Sequence, residues 1–328
     1  MTVERTINRL WALIDILADG RFHSGEALAR QLGISRASVF NALEKTDNLG
    51  ISLQRVRGRG YKLRRPWDRL QSEEVMRLLG EHSAKFNLEI MAQAPSSNTI
   101  LLQRAALGAP GGSVLAVELQ TAGRGRRGKA WHSELGSALT FSLLWRFESG
   151  LNSLSGLSLA VGVAVVRALN KLSINDIQLK WPNDIFSQQG KLGGVLIEAQ
   201  GDMLGPSSVV IGIGLNYSLP GSLAQRIDQP ASALSEICES LPPRNRLLAA
   251  MLCEQELMLS RFAQYGFAPL RQEWERYHIY QNQQIQMQMP DGSTVTGLVI
   301  GVSDSGELHL ETKHGSRKMN SGEVEVRR

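Results

Sequence analysis

The run Gly123-Arg124-Gly125-Arg126-Arg127-Gly128-Lys129-Ala130 constrains the fold more than any other stretch of the chain. It satisfies the spacing of the dinucleotide fingerprint GxGxxG, and Glu148 stands about twenty residues on, where that fingerprint asks for an acid. The fingerprint works only where a helix opens from the loop and meets a pyrophosphate with its N-terminus. Here Trp131-His132-Ser133 and Gly136 follow, and then the apolar run Ala138–Trp145. The unit reads strand, loop, strand, which excludes the open doubly wound sheet. The same residues fall one position short of the phosphate-cradling GxxxxGK[ST], with Ala130 where a hydroxyl would hold magnesium. A third lookalike, Gly156-Leu157-Ser158-Leu159-Ala160, lacks the last glycine of a hydrolase elbow and lies inside an apolar helix. What remains is a loop whose glycines approach a ligand closely and whose arginines present planar forks to phosphate or carboxylate. A mobile cationic flap over an anionic ligand is one reading of it; a nucleic-acid patch or a solvated turn is the other.

With 328 residues the chain exceeds one ordinary core and suggests two or three domains. Its charge is unevenly distributed. Residues 1–65 hold twelve Lys/Arg against six Asp/Glu, and the remainder holds 24 against 25. A polyanionic partner is therefore to be sought in the first fifth. There Ile7, Leu10, Trp11, Ile14 and Leu17 fall on one helical face, and Asp19-Gly20 ends that helix. Ser24 can cap a second helix carrying Leu28 and Leu32, Gly33 turns the chain, and Ser35 can cap a third that buries Val39, Ala42 and Leu43. A strand Ile51–Val56, a Gly58-Arg59-Gly60 turn and a return through Tyr61-Lys62-Leu63 follow, with six basic residues and no acid from Gly50 to Arg65. Together these read as a winged helix-turn-helix that binds DNA, against the rival of a small helical domain with a solvated basic hairpin. The helix beginning at Ser35, Arg36 and Ser38 would enter the major groove. Arg36 and Asn41 are the candidate base readers, and Arg57 and Arg59 the candidate phosphate contacts.

Pro66-Trp67 marks a boundary, and 71–81 reads as a linking helix. Apolar runs at Val114–Leu119, Ala138–Trp145, Ile177–Trp181, Val195–Glu198 and Val209–Leu215 read as strands, largely antiparallel because short turns such as Gln188-Gln189-Gly190 join them. Leu154–Lys171 reads as a buried helix. Ser155, Ser158 and Arg167 interrupt its most apolar part, and a membrane span needs roughly 20 apolar residues. Arg244–Phe262 reads as a further helix. Runs at Ile285–Met289, Val295–Val302, Glu307–Leu310 and Val324–Val326 read as a small β-barrel with an Asp291-Gly292 turn. Glu4 and Arg5 leave no room for a secretory signal, and Cys238 and Cys253 form neither a CxxC nor a cluster with histidine. A reducing cytoplasm, no metal site, no disulfide and no membrane association are the expectations.

Three further motifs follow the Gly–Arg loop: Lys180-Trp181-Pro182-Asn183-Asp184 at a strand end, Lys191–Glu198 entering the next strand, and Gly212-Ile213-Gly214-Leu215-Asn216 ending another. With Ser96-Ser97-Asn98, Gln120, Arg21–Glu26 and Gly58–Tyr61, they give a chain that resembles the biotin–protein ligases along essentially its whole length. The N-terminal module makes it similar to their bifunctional branch, which also represses the biotin operon. The resemblance implies a multidomain α+β protein: a winged helix-turn-helix over 1–65, a class II aminoacyl-tRNA synthetase-like mixed sheet with helices over 66–275, and an SH3-like barrel over 276–328. It implies an ATP- and Mg2+-dependent ligase that makes biotinyl-5′-AMP and passes biotin to a lysine of the biotin carboxyl carrier protein of acetyl-CoA carboxylase. It further implies a transcription-regulating homodimer on operator DNA, with biotinyl-5′-AMP as corepressor.

By the same resemblance Ser96, Ser97, Asn98 and Gln120 bind biotin, joined by Arg124, Gly125, Arg126 and Lys191. Arg124, Arg126, Arg127, Lys180, Asn183 and Asn216 hold ATP or the adenylate, and Lys180, Arg124 and Lys191 are the catalytic cations. No enzyme nucleophile is needed, since both attacking groups are substrates. The sequence departs from the family at Pro95 before Ser96, at Phe40-Asn41, and in 228–233, which lacks the tryptophan that closes over adenine. A ligase without repression, a non-enzymatic ligand-responsive transcription factor and a lipoyl ligase are the alternatives.

Overall fold

The structure is a computed structural model that describes residues 2–49, 51–64, 67–289, 291–320 and 322–325, with the side chains of 2–8, 47, 48 and 323–325 left aside. Ile7 of the expected helical face, Gly50 and Arg65 of the basic hairpin, Pro66 of the expected boundary and Val326 of the last expected strand fall among the residues or side chains not described.

Helix α1 (Thr2–Leu17) buries Leu10, Trp11, Leu13, Ile14 and Leu17. Helix α2 (Gly25–Leu32) starts at Ser24, whose hydroxyl accepts from Ala27 N, and stops at Gly33, which takes φ 62°. Helix α3 (Arg36–Leu43) starts at Ser35, whose hydroxyl accepts from Ser38 N at 3.1 Å. Each cap satisfies an N–H that the first helical turn cannot pair. Strands β1 (Leu53–Val56) and β2 (Gly60–Leu63) form the hairpin, with Leu53 opposite Leu63. Ile51 is buried but sits outside the ladder, so the first strand is two residues shorter than expected.

After the linker comes α4 (Ser72–Leu79), followed by β3 (Asn87–Ala94) and α5 (Ser97–Ala106), which the hydrophobic pattern does not reveal. Then come β4 (Ser113–Gln120), the two-residue strands β5 (Gly123–Arg124) and β6 (Ala130–Trp131), and β7 (Ala138–Phe147). The expected helix from Leu154 is shorter. A separate 3-10 turn, Leu151–Leu154, breaks at Gly156 (φ 79°), and α6 runs Leu157–Lys171, buried on nearly every side. Strands β8 (Gln178–Lys180), β9 (Asp184–Ser187), β10 (Gly190–Gly201) and β11 (Ser207–Asn216) follow. Beyond them lie the single turns α7 (Gly221–Ala224) and α8 (Leu234–Ile237), the long helix α9 (Arg244–Tyr265), and α10 (Arg271–Tyr277).

Among the described residues, the central sheet runs β3-β4-β7-β11-β10-β9-β8, and β3–β4 is its parallel pair. Helices α6 and α9 pack together with one face of this sheet in the largest apolar core. The last segment contributes β12 (Gln284–Gln288), β13 (Thr294–Val302), β14 (Leu308–Thr312), β15 (Gly315–Met319) and β16 (Glu323–Glu325), in the antiparallel order β15-β14-β13-β12-β16. Strand β15, mostly exposed and polar, went unpredicted.

The first-domain core does not end at the hairpin. It takes in Trp67 from the linker and Leu119 from β4, and Trp67 packs on Trp11 with ring centroids 6.3 Å apart. Glu118, the residue before Leu119, is buried. Its carboxylate accepts from Leu70 N (2.7 Å), Trp67 Nε1 (3.2 Å) and the fully buried Arg244 (2.5 Å). Hydrogen bonds to both carboxylate oxygens offset the cost of burying this ion pair, although Arg244 Nε is buried without a partner. Arg244 in turn donates to Ala138 O at 2.8 Å and joins α9 to β7.

Candidate active site

One face of the central sheet is hollowed into a cavity of about 770 Å³. That is the size of a site for a drug-sized ligand. At one end, Ser97 N and Oγ both donate to Gln120 Oε1, at 2.8 and 3.2 Å. Ser96 caps α5, its hydroxyl facing Thr99 N. Asn98 Nδ2 donates to Glu198 Oε2 (3.0 Å) and Leu196 O (3.3 Å), and its Oδ1 lies 2.5 Å from Ser142 Oγ. Ser142 also lies 2.7 Å from Ser97 Oγ, and its single proton serves one of them at a time. These are directed polar groups in an otherwise apolar wall that includes Phe141, Ile213 and Leu196.

The glycines of β11 make room for that wall. A Cβ on Gly212 would stand 2.2 Å from Asn98 Oδ1, and one on Gly214 would stand 2.7 Å from the Trp131 ring. The Gly–Arg run folds as expected without an α-helix, with only a three-residue 3-10 turn at Arg126–Gly128. Gly123 and Arg124 pair with Trp131 and Ala130, and Gly125 N donates to Lys129 O at 2.7 Å. Arg127 sits exposed at the tip of this ribbon with φ 54°.

The ribbon reaches back across the sheet through its arginines. Arg124 Nη2 contacts Glu198 Oε2 at 2.6 Å, and Arg126 Nη1 donates to Asn183 Oδ1 at 3.2 Å. Asn183 Nδ2 is bound to Val195 O at 2.8 Å. Lys180 ends β8, Asp184 opens β9, and Lys191 Nζ pairs with Asp184 Oδ1 at 2.8 Å. The other end of the cavity is roofed by 226–231, where Arg226 Nη2 lies 3.3 Å from His132 Nδ1. Asn216 lines the cavity, but its amide nitrogen serves the carbonyls of Lys191 (3.3 Å) and Ser232 (3.0 Å). It clamps the roof segment to β10.

The structure thus brings Ser96, Ser97, Asn98, Gln120, Arg124, Gly125, Arg126, Arg127, Lys180, Asn183, Lys191 and Asn216 to one cavity, from segments more than a hundred residues apart. Sequence reasoning missed the counter-charges Asp184 and Glu198, although both lie inside quoted motifs. It also missed Ser142, His132 and Arg226, which no spacing singles out. The proposed DNA contacts form a separate surface. Ser35, Arg36, Asn41, Arg57 and Arg59 are exposed and Ser38 half-buried, and Arg59 lies over the Phe22 ring at 4.3 Å. Among the described residues no cluster of three or more His, Cys, Asp or Glu could hold a metal ion, and no helix is long and apolar enough to cross a membrane.

Physically, one end of the cavity can orient an uncharged polar head through paired donors and acceptors. The other end concentrates cations, an arrangement that suits anionic oxygens.

Residues 90–216 match the biotin/lipoate A/B protein ligase family, and residues 280–327 match the biotin protein ligase C-terminal domain. The chain is 33% identical over 315 residues to the "Bifunctional ligase/repressor BirA" of Escherichia coli (strain K12), covering 96% of each chain. It is 31% identical to the "Biotin--[acetyl-CoA-carboxylase] ligase" of Mycobacterium tuberculosis, over 80% of this chain and 97% of the relative. Among solved structures, the biotin protein ligase from Aquifex aeolicus in complex with biotin and ATP superposes with a TM-score of 0.62. It is 28% identical, over 74% of this chain and 99% of that one.

Proposed function

The chain belongs to the biotin–protein ligase family, and from that premise we propose how its own residues carry out the reaction. It ligates biotin to protein in an ATP-dependent reaction and acts as a repressor. The observation that carries the site reading is the single cavity with a directed polar end and a cationic end. Biotin's ureido head lies against Ser96, Ser97, Asn98 and Gln120. Its carboxylate lies among Lys180, Lys191, Arg124 and Arg126, and the nucleotide lies under the 226–231 roof.

A carboxylate oxygen of biotin attacks the α-phosphorus of ATP. The new O–P bond forms as the bond to the bridging oxygen breaks, and pyrophosphate leaves with that electron pair. Lys180 stands where charge builds in this step, and the ribbon arginines exclude water and hold the phosphates. Removing one such cation costs about 3 kcal/mol of transition-state stabilisation. The neutral amine of a carrier lysine then attacks the acyl carbon, AMP departs as the C–O bond breaks, and the amine proton passes to solvent. Magnesium arrives with ATP as part of the substrate. The nearby carboxylates Asp184 and Glu198 are already committed to Lys191 and Arg124.

The C-terminal domain match at 280–327 and the biotin ligase relatives favour biotin over lipoate. We read the N-terminal helices and hairpin as a winged helix-turn-helix, the central sheet as class II synthetase-like and the last five strands as an SH3-like barrel. The acceptor is the biotin carboxyl carrier protein. The adenylate promotes a homodimer on operator DNA, in the cytoplasm, where Cys238 and Cys253 stay unpaired. Given biotin and Mg-ATP, the purified protein should release pyrophosphate and retain biotinyl-5′-AMP; release of none would refute the reading. A gel shift on operator DNA, with and without biotin and ATP, separates a bifunctional protein from a ligase alone.

A further inference from the structure

A stretch from the far end of the chain runs behind Lys180. Residues His278–Tyr280, between α10 and β12, lie alongside β8: Leu179 and His278 form a parallel bridge, and Ile279 N donates to Leu179 O at 3.0 Å. That register brings the Tyr280 ring beside Lys180, with Nζ 5.9 Å from its centroid. Phe186, on β9, approaches the same ammonium at 5.5 Å. In the sheet Phe186 stands opposite Gln178 on one side and Lys191 on the other, two residues along from the Lys180–Asp184 pair and so on the same face. An ammonium within about 6 Å of an aromatic face is held by the ring quadrupole.

Tyr280 is itself fixed. His278 packs against it edge-on (6.1 Å, 79°) and stacks on the buried Trp274 (4.5 Å, 29°). Burial pushes the Tyr280 hydroxyl up and holds His278 down at about 3, so both rings stay uncharged at neutral pH. Neither Tyr280 nor Phe186 is among the residues lining the ligand cavity.

We propose that Tyr280 and Phe186 are positioning residues for adenylation, acting through Lys180 by restricting where its ammonium can go. A four-carbon stem leaves that ammonium many positions, and catalysis by electrostatics requires one. The proposal rests on the reading of Lys180 as the cation at the α-phosphate. It also gives the junction to the C-terminal strands a catalytic purpose although it touches no substrate.

The test is rapid-quench measurement of pyrophosphate release from full-length protein with saturating biotin and Mg-ATP, alongside direct titration of biotin. Tyr280→Leu and Phe186→Leu should each slow adenylation by about 5- to 30-fold with biotin affinity unchanged. Tyr280→Phe should restore the rate to within about twofold, because it keeps the ring face. On a Lys180→Ala background Tyr280→Leu should cost nothing more. Wild-type rates in both leucine variants, failure of Tyr280→Phe to rescue, or a full further loss on the Lys180→Ala background would each overturn the proposal. If Tyr280→Leu does not fold, Phe186→Leu and Tyr280→Phe decide it. Full activity in Lys180→Ala alone would instead overturn the reading of Lys180.

Discussion

Gly212→Ala isolates the geometry of the polar end of the cavity. The added carbon would stand 2.2 Å from Asn98 Oδ1 and 2.9 Å from its Cγ, too close for any real contact. Asn98 cannot slide away, because its main chain lies in the first turn of α5. It must rotate, giving up its contacts with Ser142 Oγ, Glu198 Oε2 and Leu196 O. At about 1 kcal/mol per bond, with the longest the weakest, the loss is about 2–3 kcal/mol. That loss falls on free and bound protein alike; biotin itself loses the contact with the displaced Asn98, which at about 1–2 kcal/mol is about 5- to 30-fold in biotin affinity. Isothermal titration with biotin reads this directly, and ATP binding at the far end should change little. Asn98→Ala removes the atoms that collide, so Gly212→Ala added to it should cost almost nothing more. Unchanged biotin affinity in the single variant, or an equal loss in both backgrounds, would refute the argument.

Lys180→Ala should keep the fold and slow adenylation by about 100-fold or more, read as pyrophosphate release. Glu118→Ala leaves Arg244 buried without its partner, and denaturant unfolding should show a loss of about 3–5 kcal/mol. His278 is held down at about 3 by burial, with Gln281 pulling the other way, whereas an ordinary histidine titrates near 6.5. The unfolded chain therefore takes up a proton first as pH falls, and the folded state loses about 2 kcal/mol by pH 5 on this account. His278→Phe should flatten that part of the stability–pH curve, as followed by urea unfolding at pH 7 and 5. Arg59→Ala should weaken operator binding for all sequences alike and lower the salt slope by about 1.

Much of this was legible because the local rules agree with the fold. The apolar face of α1, the serine caps of α2 and α3, and the missing helix after Gly128 follow from spacing alone. Strand β3 was not legible. It is an edge strand whose side chains are nearly all half-buried, so it shows no two-residue alternation. Strand β15 hides for the opposite reason, with four exposed residues and only Met319 buried. In the site, the cations announced themselves through glycine and arginine, but their counter-charges did not. Glu198 meets Arg124 only because β10 carries it across the sheet to a ribbon 74 residues earlier in the chain. Arg226 belongs to a stretch without regular structure, and Asn216 lines the cavity while its amide nitrogen also holds backbone, a double duty that no spacing shows.

Three successive residues of β4 face three different tasks. Glu118 ties the linker to α9, Leu119 enters the core of the helical module, and Gln120 receives Ser97 at the cavity. A chimera that swaps in another reading head therefore cannot be cut at the hairpin and pasted on. The graft must supply its own neighbour for Leu119 and a ring to rest on Trp67. Without them, the seam exposes apolar surface one residue away from the lining of the cavity.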